Sequence, residues 1–227
     1  MNKNVFAILI FGIIILNGCI KDDVIDDRVD PVVRVSNAID TLKNGTSYQF
    51  EATFFDQVGK KVMIDLSWSS SDENIISISE TGLANALQIG NVLITVNGLA
   101  PSGEQVSAEL LVEVGEETII SIIERTGALQ TTSSYELKGD FILKVEGGVL
   151  KLSFADNYKA STALPGLYIY LTNNPSTSSG AFEIGAVTKF EGAHSYDLPN
   201  SIELMDYEYV LYFCKPFNAK VGDGQFN

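Results

Sequence analysis

Apolar side chains recur at every second residue over short stretches of this chain, and that period constrains its fold more than any other feature. Tyr48, Phe50, Ala52 and Phe54 alternate with Gln49, Glu51 and Thr53. Successive side chains of a strand point to opposite faces, so such a segment buries one face and wets the other. Leu66 with Trp68, Ile76 with Ile78, and Val92 and Ile94 with Val96 repeat the pattern. Gly, Asn, Asp and Ser interrupt the runs at short intervals, and no long stretch carries a 3.6-residue period. The spacing therefore predicts an all-β protein made of sandwiches rather than βαβ units.

The amino-terminal residues obey a different rule. Lys3 supplies a positive start, and Val5 to Leu16 is an apolar run well short of the ~20 residues needed to cross a bilayer as a helix. Residues 1–18 therefore read as a cleaved signal peptide rather than an anchor. Leu16-Asn17-Gly18-Cys19 resembles the lipobox of bacterial lipoproteins, with Asn17 in place of the more usual small apolar residue. The resemblance implies that Cys19 is acylated, palmitate included, and becomes the new amino terminus, attaching the chain to a membrane. Several acyl chains hold where one binds only marginally.

Residues 19–29 then form an acidic tether containing Lys21-Asp22-Asp23 and Asp26-Asp27. The lysine with its acids resembles the export signal that takes some lipoproteins to the outer face of the outer membrane. The expected location is thus an outer membrane lipoprotein exposed at the cell surface. A plain solvated tether on the periplasmic face is the alternative.

Charge and cysteines narrow the remaining choices. The chain has 29 acidic and 15 basic residues, a formal net charge of −14, and cleavage before Cys19 removes Lys3 but no acid. Such a surface repels phosphate backbones, so a nucleic-acid partner is not expected. With Cys19 given to the lipid, Cys214 is left with no intramolecular partner. Apolar burial must then stabilise the fold, which suffices for two domains of ~100 residues.

A boundary falls near Val114-Gly115-Glu116-Glu117, dividing residues 30–115 from 118–227. In the first part, Gly45-Thr46-Ser47-Tyr48-Gln49-Phe50, Leu66-Ser67-Trp68-Ser69-Ser70-Ser71, Thr81-Gly82-Leu83-Ala84-Asn85-Ala86 and Gly90-Asn91-Val92-Leu93-Ile94-Thr95-Val96 follow in order. This succession resembles the bacterial immunoglobulin-like group 2 domain over Val32 to Val114. The resemblance implies a rigid spacer or binding module, which would hold the second domain away from the membrane. Read on their own chemistry, Trp68 is in phase with Leu66 and fills the core, and Gly82 and Gly90 stand at turns that require a positive φ.

In the second part the strands resume as Val149-Leu150-Lys151-Leu152-Ser153-Phe154, Leu164-Pro165-Gly166-Leu167-Tyr168-Ile169-Tyr170-Leu171 and Val210-Leu211-Tyr212-Phe213-Cys214-Lys215-Pro216-Phe217. With Ser195-Tyr196-Asp197-Leu198-Pro199, these are similar to the DM-13 domain, a β-sandwich related to the DOMON superfamily. That resemblance implies an electron-transfer role centred on Cys214. A lone thiolate can ligate a soft metal or haem iron, or cycle through sulfenic acid and mixed disulfides. Lys215 would lower the thiol pKa if its ammonium lay close, although adjacent strand residues point to opposite faces.

The bland alternative is a buried cysteine acting as a small hydrophobe. Gly166 and Ser134-Tyr135 stand where the family tends to carry an acid and a histidine. His194 is the one histidine, which excludes a bis-histidine haem within one molecule, and its turn, Glu191 to Ser195, reads as solvated.

Other chemistry has no foothold. No HExxH, CxxC, Walker loop or G-x-S-x-G elbow is present, and no pair of carboxylates is marked for glycoside chemistry. No catalytic residue is assigned. Asp40-Thr41-Leu42 resembles a loose bacterial O-glycosylation acceptor. Tyr158, Tyr168 and Tyr170 would suit capture of a surface glycan if exposed, although tyrosines at strand period are usually packed. The expected function is a surface-displayed, non-catalytic binding or adhesion lipoprotein, taking a glycan or protein ligand. The alternative is an electron-transfer or metal- or haem-binding protein acting through Cys214.

Overall fold

The computed structural model describes residues 27–120 and 122–227. The expected signal peptide, Cys19 and most of the expected acidic tether lie outside the described residues. Every element is a strand except one 3-10 turn at Lys215–Phe217.

The first unit comprises β1 (Val32–Val35), β2 (Ile39–Lys43), β3 (Ser47–Gln49), β4 (Ala52–Phe55), β5 (Lys61–Val62), β6 (Leu66–Ser70), β7 (Ile76–Ile78), β8 (Leu83–Ala86), β9 (Gly90–Leu99), β10 (Gln105–Gly115) and β11 (Ile119–Ile120). They form a five-stranded sheet in the order β11-β2-β10-β9-β6, with two three-stranded sheets, β1-β4-β5 and β3-β8-β7. β2 runs parallel to β10, whereas β9 is antiparallel to both β10 and β6. The inward residues of the alternating runs meet in one core that includes Ile39, Phe50, Phe54, Trp68, Ile94 and Val112.

Trp68 stacks on Phe50 with ring centroids 5.7 Å apart. Gly82 backs this pair at φ 89°, and a Cβ there would stand 2.7 Å from the Phe50 carbonyl oxygen and 2.9 Å from the indole nitrogen. Both the backbone angle and the lack of space demand glycine. Gly82→Ala is expected to cost about 3 kcal/mol, from left-handed strain plus overpacking, read as a lower urea midpoint with an unchanged slope.

The second unit is a single nine-stranded sheet curled over its own core. Its strands are β12 (Glu124–Thr131), β13 (Leu137–Glu146), β14 (Val149–Phe154), β15 (Lys159–Ala160), β16 (Leu167–Thr172), β17 (Phe182–Ala186), β18 (His194–Asp197), β19 (Tyr209–Cys214) and β20 (Ala219–Gln225). The order is β17-β16-β19-β20-β12-β13-β14-β18, with β15 on β13. β16 and β19 read as nearly continuous apolar runs because both of their faces are covered. Ile169, Leu171, Val210 and Tyr212 join the main core, and Tyr170, Leu211 and Phe213 form a smaller cluster on the opposite face.

The two units are joined by more than the short connection between them. Arg34 on β1 projects into the second unit, where its Nε pairs with Glu208 Oε1 at 2.8 Å. Its Nη1 donates to the Met205 carbonyl at 2.6 Å and its Nη2 to Asn173 Oδ1 at 3.2 Å. The other Glu208 oxygen accepts from Arg125 Nη2 at 2.9 Å, and Arg125 Nη1 donates to the Tyr207 carbonyl at 2.6 Å. Arg34 is 9% exposed and Arg125 5%.

Burial pushes the Arg34 guanidinium below its ordinary pKa, and Glu208 pulls it back up. Gly59, in the β4–β5 turn, comes so close to Asn173 that a Cβ would stand 2.9 Å from it. At the entry of the chain, the Asn174 side-chain amide donates to the Asp27 carbonyl. The sequence leaves the mutual orientation of the units open, and these contacts fix it with the second unit alongside the β1-β4-β5 sheet.

Candidate functional site

Cys214 closes β19, where its backbone pairs with Leu167 and Ala219. The two-residue period places it on the inner face with Val210 and Tyr212, and it is 1% exposed. Its Sγ donates to the Pro165 carbonyl at 3.6 Å. Lys215 turns away from the thiol, the outcome that the opposite facing of adjacent strand residues favours. The 3-10 turn begins there, and its Nζ pairs with Glu183 Oε2 at 2.8 Å while lying 4.7 Å from the Tyr168 ring centroid. Adjacent strand residues face opposite ways, so the ammonium belongs to the outer face.

His194 also departs from its expected place. It opens β18 opposite Phe154 rather than sitting in a solvated turn. Its ring stacks on Phe154 at 4.9 Å between centroids and meets the Tyr158 ring edge-on at 4.5 Å. Nδ1 lies 2.9 Å from the Gly192 carbonyl oxygen, an acceptor that makes Nδ1 the protonated nitrogen.

Its contacts are thus with this aromatic group, and it is not paired with Cys214. Among the described residues, no three His, Cys, Asp or Glu side chains come together in a way that would hold a metal ion. Nothing in the Cys214 surroundings shows how haem or a metal would be held.

Burial lowers the His194 pKa from the ordinary 6.5. The unfolded chain then takes up a proton at a pH where the folded chain resists it. This contribution to stability is full above about pH 6.5 and is lost as pH falls through the lower folded value. The urea midpoint is expected to decline over that window, and His194→Gln is expected to flatten that part of the decline.

The remaining candidate positions are equally specific. Tyr158 is 1% exposed and Tyr170 4%, so neither is a surface platform for a glycan. Tyr168 is half-buried beneath Lys215. Thr41 is 8% exposed on β2, which lies between β11 and β10.

What the sequence did not disclose is the Arg34–Glu208–Arg125 seam. An arginine flanked by Val33 and Val35 within a strand was the available signal, since a charge at such a position must be paired if it is buried.

Comparison with known proteins identifies the first unit. Residues 30–108 match the family described as Bacterial Ig-like domain (group 2). This part of the chain is thus similar to that group and has an immunoglobulin-like β-sandwich architecture. Among solved structures, the chain is similar to an intimin mutant of EHEC O157:H7. The identity is 12% and the TM-score 0.25, with 46% of this chain and 52% of that chain covered, so the match spans about half the length of that structure. No curated protein matches the chain.

Proposed function

We propose that this chain is a surface-displayed lipoprotein, acylated at Cys19, whose two β-sandwiches act together as one non-catalytic binding or adhesion body. The observation that carries this reading is the buried seam, in which Glu208 bridges Arg34 of the immunoglobulin-like unit to Arg125 of the second. A carboxylate shared by two buried guanidiniums favours one orientation, because parting the units takes Arg34 from Glu208, and loss of Glu208 leaves both guanidiniums buried without their counter-charge. Two domains locked in register present one composite surface, as a binding body requires.

The second unit is read as a DM-13-like sandwich, on the strength of the order and spacing of its sequence segments and the closing Val210 to Phe217 segment. The partner is a protein or glycan on another surface. The acidic charge disfavours nucleic acid.

The test is made on intact cells. The wild-type protein is expected to be degraded by added protease and to be recovered in the membrane fraction. Cys19→Ala is expected to abolish acylation and release the protein from the membrane. Full protease protection in intact cells would overturn surface display, and membrane retention of unacylated Cys19→Ala would overturn the lipid anchor.

The alternative of an electron-transfer or metal- or haem-binding thiol at Cys214 has less support. Cys214 is 1% exposed and its sulfur is directed at a backbone carbonyl, the environment of an inert structural cysteine.

A further inference from the structure

Four buried polar atoms of the second unit lack a hydrogen-bond partner among the described residues, namely the hydroxyls of Tyr158, Tyr196 and Tyr212 and Nε2 of His194. They are not scattered. Tyr158 lies 4.5 Å from His194 and 6.2 Å from Tyr212 between ring centroids, and His194 lies 5.5 Å from Tyr196. Phe154 touches all four rings. The Tyr158 and Tyr212 hydroxyls are near enough to influence each other's ionisation, yet they do not have the geometry of a formed hydrogen bond.

Tyr158 and Tyr212 are 1% and 0% exposed. Leaving such groups unpaired in the interior is costly, and native interiors leave few of them so.

We infer that Tyr158, Tyr196, Tyr212 and His194 enclose an interior binding site for one small neutral guest that both donates and accepts hydrogen bonds, and that its resident is a water molecule. The count of valences carries the assignment. With Nδ1–H committed to the Gly192 carbonyl, Nε2 offers only a lone pair and takes one proton from the guest. A phenol oxygen takes the second. The remaining two phenols donate to the guest's own two lone pairs.

Water thus satisfies all four atoms at once, within the two to four partners usual for a buried water. A metal cation is a poor match, because the donor set is neutral and burial opposes formation of phenolates. The site also has a structural duty. It joins edge strand β18, which carries His194 and Tyr196, to β19 on the other side of the core.

The test uses the whole mature chain, in which His194 is the one histidine and its ring signals are unambiguous. Nitrogen-15 spectra are expected to show the neutral Nδ1–H tautomer. Magnetisation is expected to pass from a long-lived water to the ring protons of Tyr158 and Tyr212. Tyr212→Phe, which keeps the ring and removes one partner, is expected to weaken that transfer severalfold. Three results would overturn the inference: an Nε2–H tautomer, no transfer from water in the wild-type chain, or a stoichiometric metal ion in the purified protein. The wild-type spectra decide the matter even if the variant fails to fold.

Discussion

Glu208→Ala is expected to destabilise the protein by about 3–5 kcal/mol, because it leaves the Arg34 and Arg125 guanidiniums buried without their counter-charge. Arg34 is expected to be the more selective position. It belongs to the immunoglobulin-like unit, and its Glu208, Met205 and Asn173 partners all lie in the second unit. Arg34→Ala is therefore expected to uncouple the units while leaving both cores intact.

Calorimetry is the appropriate measurement. The wild-type chain should unfold in one cooperative transition and the Arg34 variant in two. A wild-type chain that already melts in two steps, or an Arg34 variant that melts like the wild type, would show that the seam contributes nothing to coupling. Added salt should not mimic the substitution, since buried pairs are weakly screened.

The second large effect concerns Cys214. A thiol that is 1% exposed and seated among Val210, Tyr212 and Leu167 reacts only when its surroundings open. Its reaction with an aromatic disulfide reagent is expected to be at least about a thousandfold slower in the folded chain than in urea, in line with the small population of open states in a stable domain. The rate should rise as denaturant is added below the unfolding midpoint. A native thiol titrating within seconds would reverse the assignment and restore the electron-transfer alternative.

The local features were legible from the sequence because they depend on local rules. Alternation at Tyr48 to Phe54 and Val92 to Val96 marked which side of each strand is buried. Gly82 could be read as a positive-φ turn, but not as the floor beneath Trp68, since that depends on a neighbour brought in by another strand. Cys214 was assigned to the correct face by its period.

The partner of Lys215 and the place of His194 were not legible, and the cause is the same for both. A side chain at the end of a strand takes its direction from the turn that follows or precedes it. For Lys215 this was the 3-10 turn, and for His194 it was the Gly192 carbonyl that holds the ring inward. The seam was harder still. Arg34 and Asn173 are 139 residues apart, and no period or motif links positions so distant.

The described residues begin at the border between the two units. The first of them, Asp27, is held by Asn174 of the second unit, and the Val29 N–H donates to the Gln57 carbonyl at 2.8 Å. A pull applied through the leading segment would therefore reach both lobes at their shared border instead of travelling down the length of the immunoglobulin-like sandwich. That lobe is placed as a flank rather than a mast, and the load path to the carboxy-terminal lobe bypasses its core.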